Sequence, residues 1–178
     1  MAQHITLKPK MLGYHNVGAD SASFTDLSGV LRGLTISQDE PESNSIDAEF
    51  FDSPFYIENT MNPVTINFEW VNFDLDELDA LIGGTYANSI YEAPTSAVSP
   101  EKCWKLDFGV GYKSLVIYRG QLTATLKKDE DGALAYACTI TSLVETVTTG
   151  SGSSATTSYR LYKIDGSEVD TGGNESAG

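Results

Sequence analysis

The stretch VTINFEWVNFDLDELDALIGG, residues 64–84, changes its period half-way along. Val64, Ile66, Phe68 and Trp70 alternate with Thr65, Asn67 and Glu69, the two-residue period of a strand with one face buried. From Leu75 the period lengthens: Leu75, Leu78, Leu81 and Ile82 recur at helical spacing. Asp74 stands at the N-cap position with Glu77 three residues on, the pattern of a capping box. Asp76 and Glu77 suit the positive end of the helix dipole, and Gly83 and Gly84 supply a stop. The pattern predicts a strand over 64–71 and a helix over about 74–82, packed onto a sheet by Leu75, Leu78 and Ile82. The acids do not spell a calcium loop. Counted from Asp74, the sixth position is Asp79 and the twelfth is Thr85, where such a loop needs Gly and a bidentate Glu. They read as the solvated face and N-terminal end of an amphipathic helix.

Beyond the helix the chain turns to strands. In KCWKLDFGV (102–110), Trp104, Leu106, Phe108 and Val110 share one face, and Lys105 and Asp107 the other. Residues 113–120 and 121–128 read as two further strands, and 128–132 as a tight turn. Residues 133–147 read as one long strand with Leu134, Tyr136, Cys138 and Ile140 on one face. Small residues (Ala133, Ala135, Ala137 and Thr139) occupy the other, which suits close packing under a neighbouring layer. The run 148–158 reads as a flexible Ser/Gly/Thr connection and 159–164 as a last strand. Before the central stretch, 30–37 reads as a strand, and the first thirty residues as irregular. Residues 38–63 and 85–101 read as loops. The sum is a mainly β chain: an antiparallel β-sandwich or barrel with one short flanking helix and a long early loop. Residues 1–164 are expected to form a single domain, followed by a polar, acidic, Gly-rich tail over 165–178.

The chain has 178 residues and a net charge of −14. All of that imbalance lies between Gly33 and Glu101, which holds fourteen acids and no Lys or Arg, against eleven of each sign elsewhere. Such a surface repels phosphate backbones. Cys103 and Cys138 are too few for a disulfide framework, so a reducing compartment is expected. No run approaches eighteen apolar residues, and the start lacks the apolar region of a signal peptide, so the chain is expected to be made in the cytoplasm with no membrane partner. The loop 38–63 combines seven acids with Phe50, Phe51, Phe55 and Tyr56. An acidic arm with its own apolar stripe should dock on a partner, with Glu42, Asp47 and those four aromatics as contact residues.

Chemistry is thinly represented. His4 and His15 are the only histidines, no G-x-S-x-G occurs, and the cysteines lack the short ligand spacing of zinc sites. No Gly-rich loop follows a strand to open a helix, so nucleotide binding is unsupported. Glu69 and Asp107, both on polar strand faces, are the acid pair to consider for glycoside hydrolysis. Tyr56, Tyr86 and Tyr91 are the aromatics to consider for a sugar platform, the alternative reading being a β-sandwich module for carbohydrate or another ligand. The expectation is a non-enzyme with no catalytic, metal or cofactor-binding residues and no cofactor.

The order of parts carries a resemblance. An irregular arm precedes a strand and a long acidic loop. Then come the alternating strand VTINFEW, the acidic helix LDELDALIGGTY, the strand KCWKLDF, the pair VIYRGQLTATLKKD and a long final β segment. Over about residues 25–165 this layout resembles the major tail tube proteins of long-tailed (siphovirus-type) bacteriophages, in arrangement rather than in any diagnostic motif. The resemblance implies a structural virion protein, assembled in the host cytoplasm and resident in the phage tail. It implies hexameric rings whose inner strands join into one barrel, stacked as a tube around the tape-measure protein. DNA then passes through the lumen without specific binding. The early loop would reach a neighbouring subunit or ring. Strand alternation makes Asn67, Glu69 and Asp107 the candidate lumen-facing residues, with Lys105 sharing the face of Asp107. An acidic lumen would keep DNA from sticking.

Overall fold

The computed structural model describes residues 9–18, 23–46, 56–95, 99–109, 111–128 and 130–166. In chain order the strands are β1 (Met11–Asn16), β2 (Thr25–Asp26), β3 (Val30–Gln38), β4 (Glu42–Ile46), β5 (Tyr56–Thr60) and β6 (Val64–Val71). Helix α1 (Leu75–Ile82) follows. Then come β7 (Thr85–Ala87), β8 (Ile90–Glu92), β9 (Glu101–Asp107), β10 (Ser114–Lys128), β11 (Leu134–Ser142), β12 (Glu145–Thr149), β13 (Thr156–Arg160) and β14 (Tyr162–Asp165). Among the described residues the fold is mainly β, with antiparallel sheets and a single short α-helix, in a sandwich-like arrangement.

The main sheet runs β2-β1-β9-β10-β11-β6-β3, and β14 also pairs with β10. Its organiser is β10. The first half of this fifteen-residue strand pairs with β9 on one side and β14 on the other; its second half pairs with β11. β11 and β14 share one edge of β10, Ser142 standing opposite Gly120 and Tyr162 opposite Ile117. The chain therefore leaves that edge at Ser142, makes the hairpin β12–β13, and rejoins it as β14. The β9–β10 register shifts between Ile117 and Gly120. A Cβ at Gly120 would stand 2.9 Å from Trp104 Cδ1, so only glycine lets the indole close over this irregularity. Trp104, Leu106 and Leu12 from one half of the sheet meet Ile66, Phe68, Trp70 and Ile140 from the other in one buried cluster.

Alternation in β6 is as the sequence reads. Val64, Ile66, Phe68 and Trp70 are buried, whereas Thr65, Asn67 and Glu69 are half-buried on the other face. The helix buries Leu78 and Leu81, with Leu75 and Ile82 packed at the margin of the same cluster. Its C-terminal stop uses Gly83 (φ 85) and Gly84 (φ 123), both outside the range comfortable for other residues. Its N-terminal end differs from the capping-box expectation: Asp74 makes no side-chain cap. Ser28 Oγ accepts from the N–H of Asp74 at 3.1 Å, the bond that Glu77 would accept in a capping box, and Glu77 turns to Ser28 instead of back along its own helix.

Other boundaries move. The N-terminal region is not irregular: β1 pairs with β9 along six residues. Its glycine and single-turn length hide the period that Leu12 and Tyr14 share. The two strands expected over 113–128 are one. The strand expected over 133–147 breaks at Leu143–Val144, and the connection 148–158 is the turn of a hairpin closed by a short 3-10 turn. Leu134 is exposed where burial was expected. Of the small-residue face only Ala135 is buried, while Ala133 and Ala137 lie open. Residues 85–92 of the second loop form the hairpin β7–β8, turned by Asn88 (φ 52) and Ser89 (φ 62), two consecutive left-handed residues as a type I′ turn requires. Val110 and the tail from 167 lie outside the described residues.

Candidate assembly surface

The early loop is largely a β-ribbon. Gln38 stands opposite Val64 and Glu42 opposite Thr60, the same offset, which holds from Thr35–Asn67 to Ile46–Tyr56. β3–β6 and β4–β5 are thus one hairpin with a gap in its ladder. Pro41 and Pro63 fall in the gap, and a proline has no N–H to give a ladder. Side-chain amides bridge it instead. Gln38 Nε2 donates to Asn62 O at 2.7 Å, and Asn62 Nδ2 donates to Glu40 O at 2.6 Å. Among the described residues, the two-stranded sheet β4–β5 pairs with no other strand. Of the expected contact residues, Glu42 is exposed on β4, and Tyr56 opens β5 opposite Ile46. Asp47, Phe50, Phe51 and Phe55 lie outside the described residues.

At the root of this ribbon is an apolar surface that the sequence reading missed. Met61, Val144 and Tyr159 line one side of Tyr162, in a hollow of about 350 Å³. Ile36 and Ile164 line the other, in a hollow of about 310 Å³. Those five side chains are all exposed, Tyr159 at 72%. Tyr162 joins the two hollows and holds the ribbon's base, its hydroxyl donating to Gln38 Oε1 at 3.3 Å. The available signal was the alternation within YRLYKI, which read only as a strand; what exposes it is the hairpin inserted before it.

The three candidate lumen residues separate. Asn67 and Glu69 share a polar concavity on the outer face of β6, β10 and β11, with Thr123, Thr125, Lys127 and Arg32. Asn67 Oδ1 accepts from Thr139 Oγ1 at 2.7 Å, and Glu69 pairs with Lys127 Nζ at 3.2 Å. This face carries Arg32 and Lys127 beside Glu69, so it is not an acidic surface. Asp107 does not belong to it. It is buried, and its Oδ1 accepts from Gly109 N–H at 2.7 Å in the turn after β9. That commitment corrects the reading that set Asp107 on an open face. Nor do Glu69 and Asp107 form an acid pair, because β10 and β11 separate their strands.

Of the three tyrosines considered for an aromatic platform, Tyr86 and Tyr91 stand opposite each other in the hairpin β7–β8, and Tyr56 opens β5. Tyr91 donates its hydroxyl to Gly83 O at 2.6 Å, tying β8 to the end of the helix, and Tyr86 stands opposite it in the hairpin, exposed. Tyr118 faces inward to its own chain, with the Arg160 guanidinium 3.6 Å above its ring. Among the described residues no group of three or more His, Cys, Asp and Glu is placed to hold a metal ion. Nor, among the described residues, is any helix long and apolar enough to cross a membrane.

The perturbed titrations mark structure. Burial pushes the Tyr14 phenol up to about 12, with the Glu77 carboxylate adding to the effect. Burial also raises Glu77, against the opposing hydrogen bonds from Ser28. Cys138, on the apolar face of β11, is pushed up to about 12 by burial alone. No protein-family model matches this chain, and no curated protein matches it.

Proposed function

We propose that this chain is a structural subunit that assembles with copies of itself into stacked rings forming a tube, as in the phage tail tube proteins whose layout its sequence resembles. The observation that carries the reading is the ribbon β4–β5 rising beside the exposed apolar surface of Met61, Val144, Tyr159, Ile36 and Ile164. Contiguous exposed apolar surface marks a site for a protein partner, and a ribbon that pairs only with itself offers backbone groups to a neighbouring chain. The net charge of −14 suits a tube through which DNA passes without adhering. Its acids belong to the ribbon and the helix more than to the face of Asn67 and Glu69, so the repulsion is a property of the whole wall. On this reading the partners are other copies, a tape-measure protein and other tail proteins, and the place is the virion tail.

The test is light scattering with negative-stain microscopy on the purified chain and on a variant whose ribbon is removed. Deleting only residues 43–55 would strand the rest of β5 without its partner. The better deletion takes residues 42–60 and joins Pro41 to Met61, which are opposite in the same register, through an Asn-Gly turn. Rings or tubes from the full chain, and a folded monomer from the variant, are the expected pair of results. A full chain that stays monomeric at every concentration while a glycan raises its melting temperature would make it a ligand-binding module instead.

A further inference from the structure

The apolar alternation of the β10–β11 hairpin runs on past the end of the core. Leu122 and Tyr136 are buried, yet Leu126, opposite Tyr136, is 55% exposed. Leu134, two residues before Tyr136 on the same face, is 64% exposed. As diagonal neighbours across the pair, the two leucines stand about 7–8 Å apart. Phe73 stacks on Tyr136 at 5.0 Å between ring centres, which sets this tip beside the start of helix α1. Its rim is acidic. Asp74 and Asp76 at the helix start and Glu130 in the turn stand against Lys128, while Lys127 and Asp131 are taken up by Glu69 and Arg32. The apolar surface at the ribbon's base lies at the other end of β6. Val64, the first residue of that strand, lines one of its hollows, and Val71, the last, pairs with Ala135, next to Leu134. Eight residues of strand put about 23 Å between the two ends. The two hollows flank Tyr162, and among the described residues their lining holds Arg160 and Lys113 and no acid.

We propose that the β10–β11 tip of one copy docks on the ribbon base of the next, Leu126 and Leu134 entering the hollows on the two sides of Tyr162 and Glu130 facing Lys113. The inference rests on the assembly reading above and names the surface that meets the ribbon base within it. The two surfaces match in shape, two projecting leucines against two hollows. They match in charge, an acidic rim against a cation in each hollow, although Glu145 also holds Arg160. The contact withdraws from water the two leucines that the hairpin exposes, which explains why the apolar pattern of both strands outruns the core of a single copy. A two-fold dimer through the tips would set like acidic rims together. The head-to-tail contact joins unlike surfaces and leaves one of each at the ends of the assembly, so it repeats from copy to copy, as a ring or a tube requires.

The experiment mixes full chains carrying E130C with full chains carrying M61C or K113C, one position in each hollow, and leaves both leucines in place. A short bis-maleimide is added at a concentration where sedimentation shows assembly. Both native cysteines are buried, so the introduced thiols are the ones that react. Linked dimers are expected from the mixtures and none from any variant alone. In parallel, the L126D/L134D chain should keep the parent's circular dichroism and lose all higher species. E130K and K113E should each weaken assembly, and the two combined in one chain should restore it. Linked dimers from E130C alone or from M61C alone would overturn the head-to-tail contact while assembly itself stands. An L126D/L134D chain that assembles like the parent would do the same, and a combined charge variant that does not recover would overturn the facing of Glu130 and Lys113. A parent chain that never assembles would overturn the tube reading, and this contact with it.

Discussion

Ser28 and Glu77 lie 49 positions apart, yet the Ser28 amide donates to Glu77 Oε2 at 3.0 Å and its hydroxyl donates to the same carboxylate. The hydroxyl oxygen meanwhile accepts from the N–H of Asp74, the residue that precedes the helix, and the Ser28 carbonyl accepts Trp70 Nε1–H at 2.7 Å. One residue outside the helix thus holds the N–H of the N-cap residue, binds the half-buried acid of the helix's first turn and accepts from a core indole. Ser28→Ala should cost about 2 kcal/mol, because it leaves a half-buried carboxylate and the Asp74 amide short of a partner. Urea unfolding of the two proteins measures this. A change below about 0.5 kcal/mol, the range of ordinary surface substitutions, would show that the hub does not stabilise the fold.

Above neutral pH, Tyr14 should govern part of the stability. Its folded phenol holds its proton up to about 12, while the unfolded phenol gives it up near 10.0. The folded state therefore binds the proton more tightly, and the stability from this group is complete below pH 10 and lost as pH climbs toward 12. Tyr91 and Tyr136, both raised by burial, act in the same direction. Tyr14→Phe should flatten the alkaline loss measured by urea unfolding across this window, and one phenol should vanish from the late part of an ultraviolet titration. Glu77 carries the same sign on the acid side. Its carboxyl is raised, so its contribution is greatest below the ordinary carboxylate range and declines as pH rises through the raised value.

Gly120→Ala should destabilise by about 1–3 kcal/mol, the usual cost of forcing a group into a packed core. The added methyl would meet Trp104 Cδ1 at 2.9 Å and Ile117 Cγ2 at 3.1 Å. Trp104 Nε1 also donates to Gly120 O at 3.2 Å, so the indole cannot retreat without losing that bond. A red-shifted tryptophan emission should accompany the loss. Unchanged emission and stability would mean that β10 absorbs the methyl by moving its backbone.

Both thiols should be silent until the protein unfolds. Cys103 is 6% exposed and Cys138 2%. Burial pushes the Cys138 thiol up to about 12, which removes the reactive thiolate at neutral pH. An aromatic disulfide reagent should therefore label two thiols in denaturant and none in native buffer over minutes. Rapid native labelling would reveal local opening of β9 or β11.

Tyr159→Asp combined with Met61→Asp should separate assembly from folding. Both side chains are exposed, at 72% and 49%, so the change in stability should stay within about 0.5 kcal/mol per site. Sedimentation should show the loss of higher species if the surface around Tyr162 joins subunits. Polymers formed as readily as by the parent chain would remove that surface from the interface.

Period-two burial in β6 and the amphipathic helix after it were legible because each depends only on neighbours in sequence. Val64 to Trp70 alternate whatever they pack against, and Leu78 and Leu81 face a core wherever that core lies. Gly83 and Gly84 end the helix through local backbone freedom alone. Ser28 was not legible as the partner of Asp74 and Glu77, because nothing in a strand-flanking Leu-Ser-Gly announces a helix start 46 positions later. β1 escaped notice since its partner, β9, supplies the hydrogen bonds that make six mixed residues a strand. Register likewise turned a long acidic loop into a ribbon, since pairing offset is a relation between segments rather than a property of either. The amino-acid sequence by itself determined the β class, the helix and which face of β6 is apolar, because side-chain period and backbone freedom are local. Only the tertiary structure decided that β10 joins both halves of the sheet, that Asp107 is buried, and that Tyr162 gathers an exposed apolar surface at the ribbon's base, because those depend on which distant segments share hydrogen bonds and exclude water together.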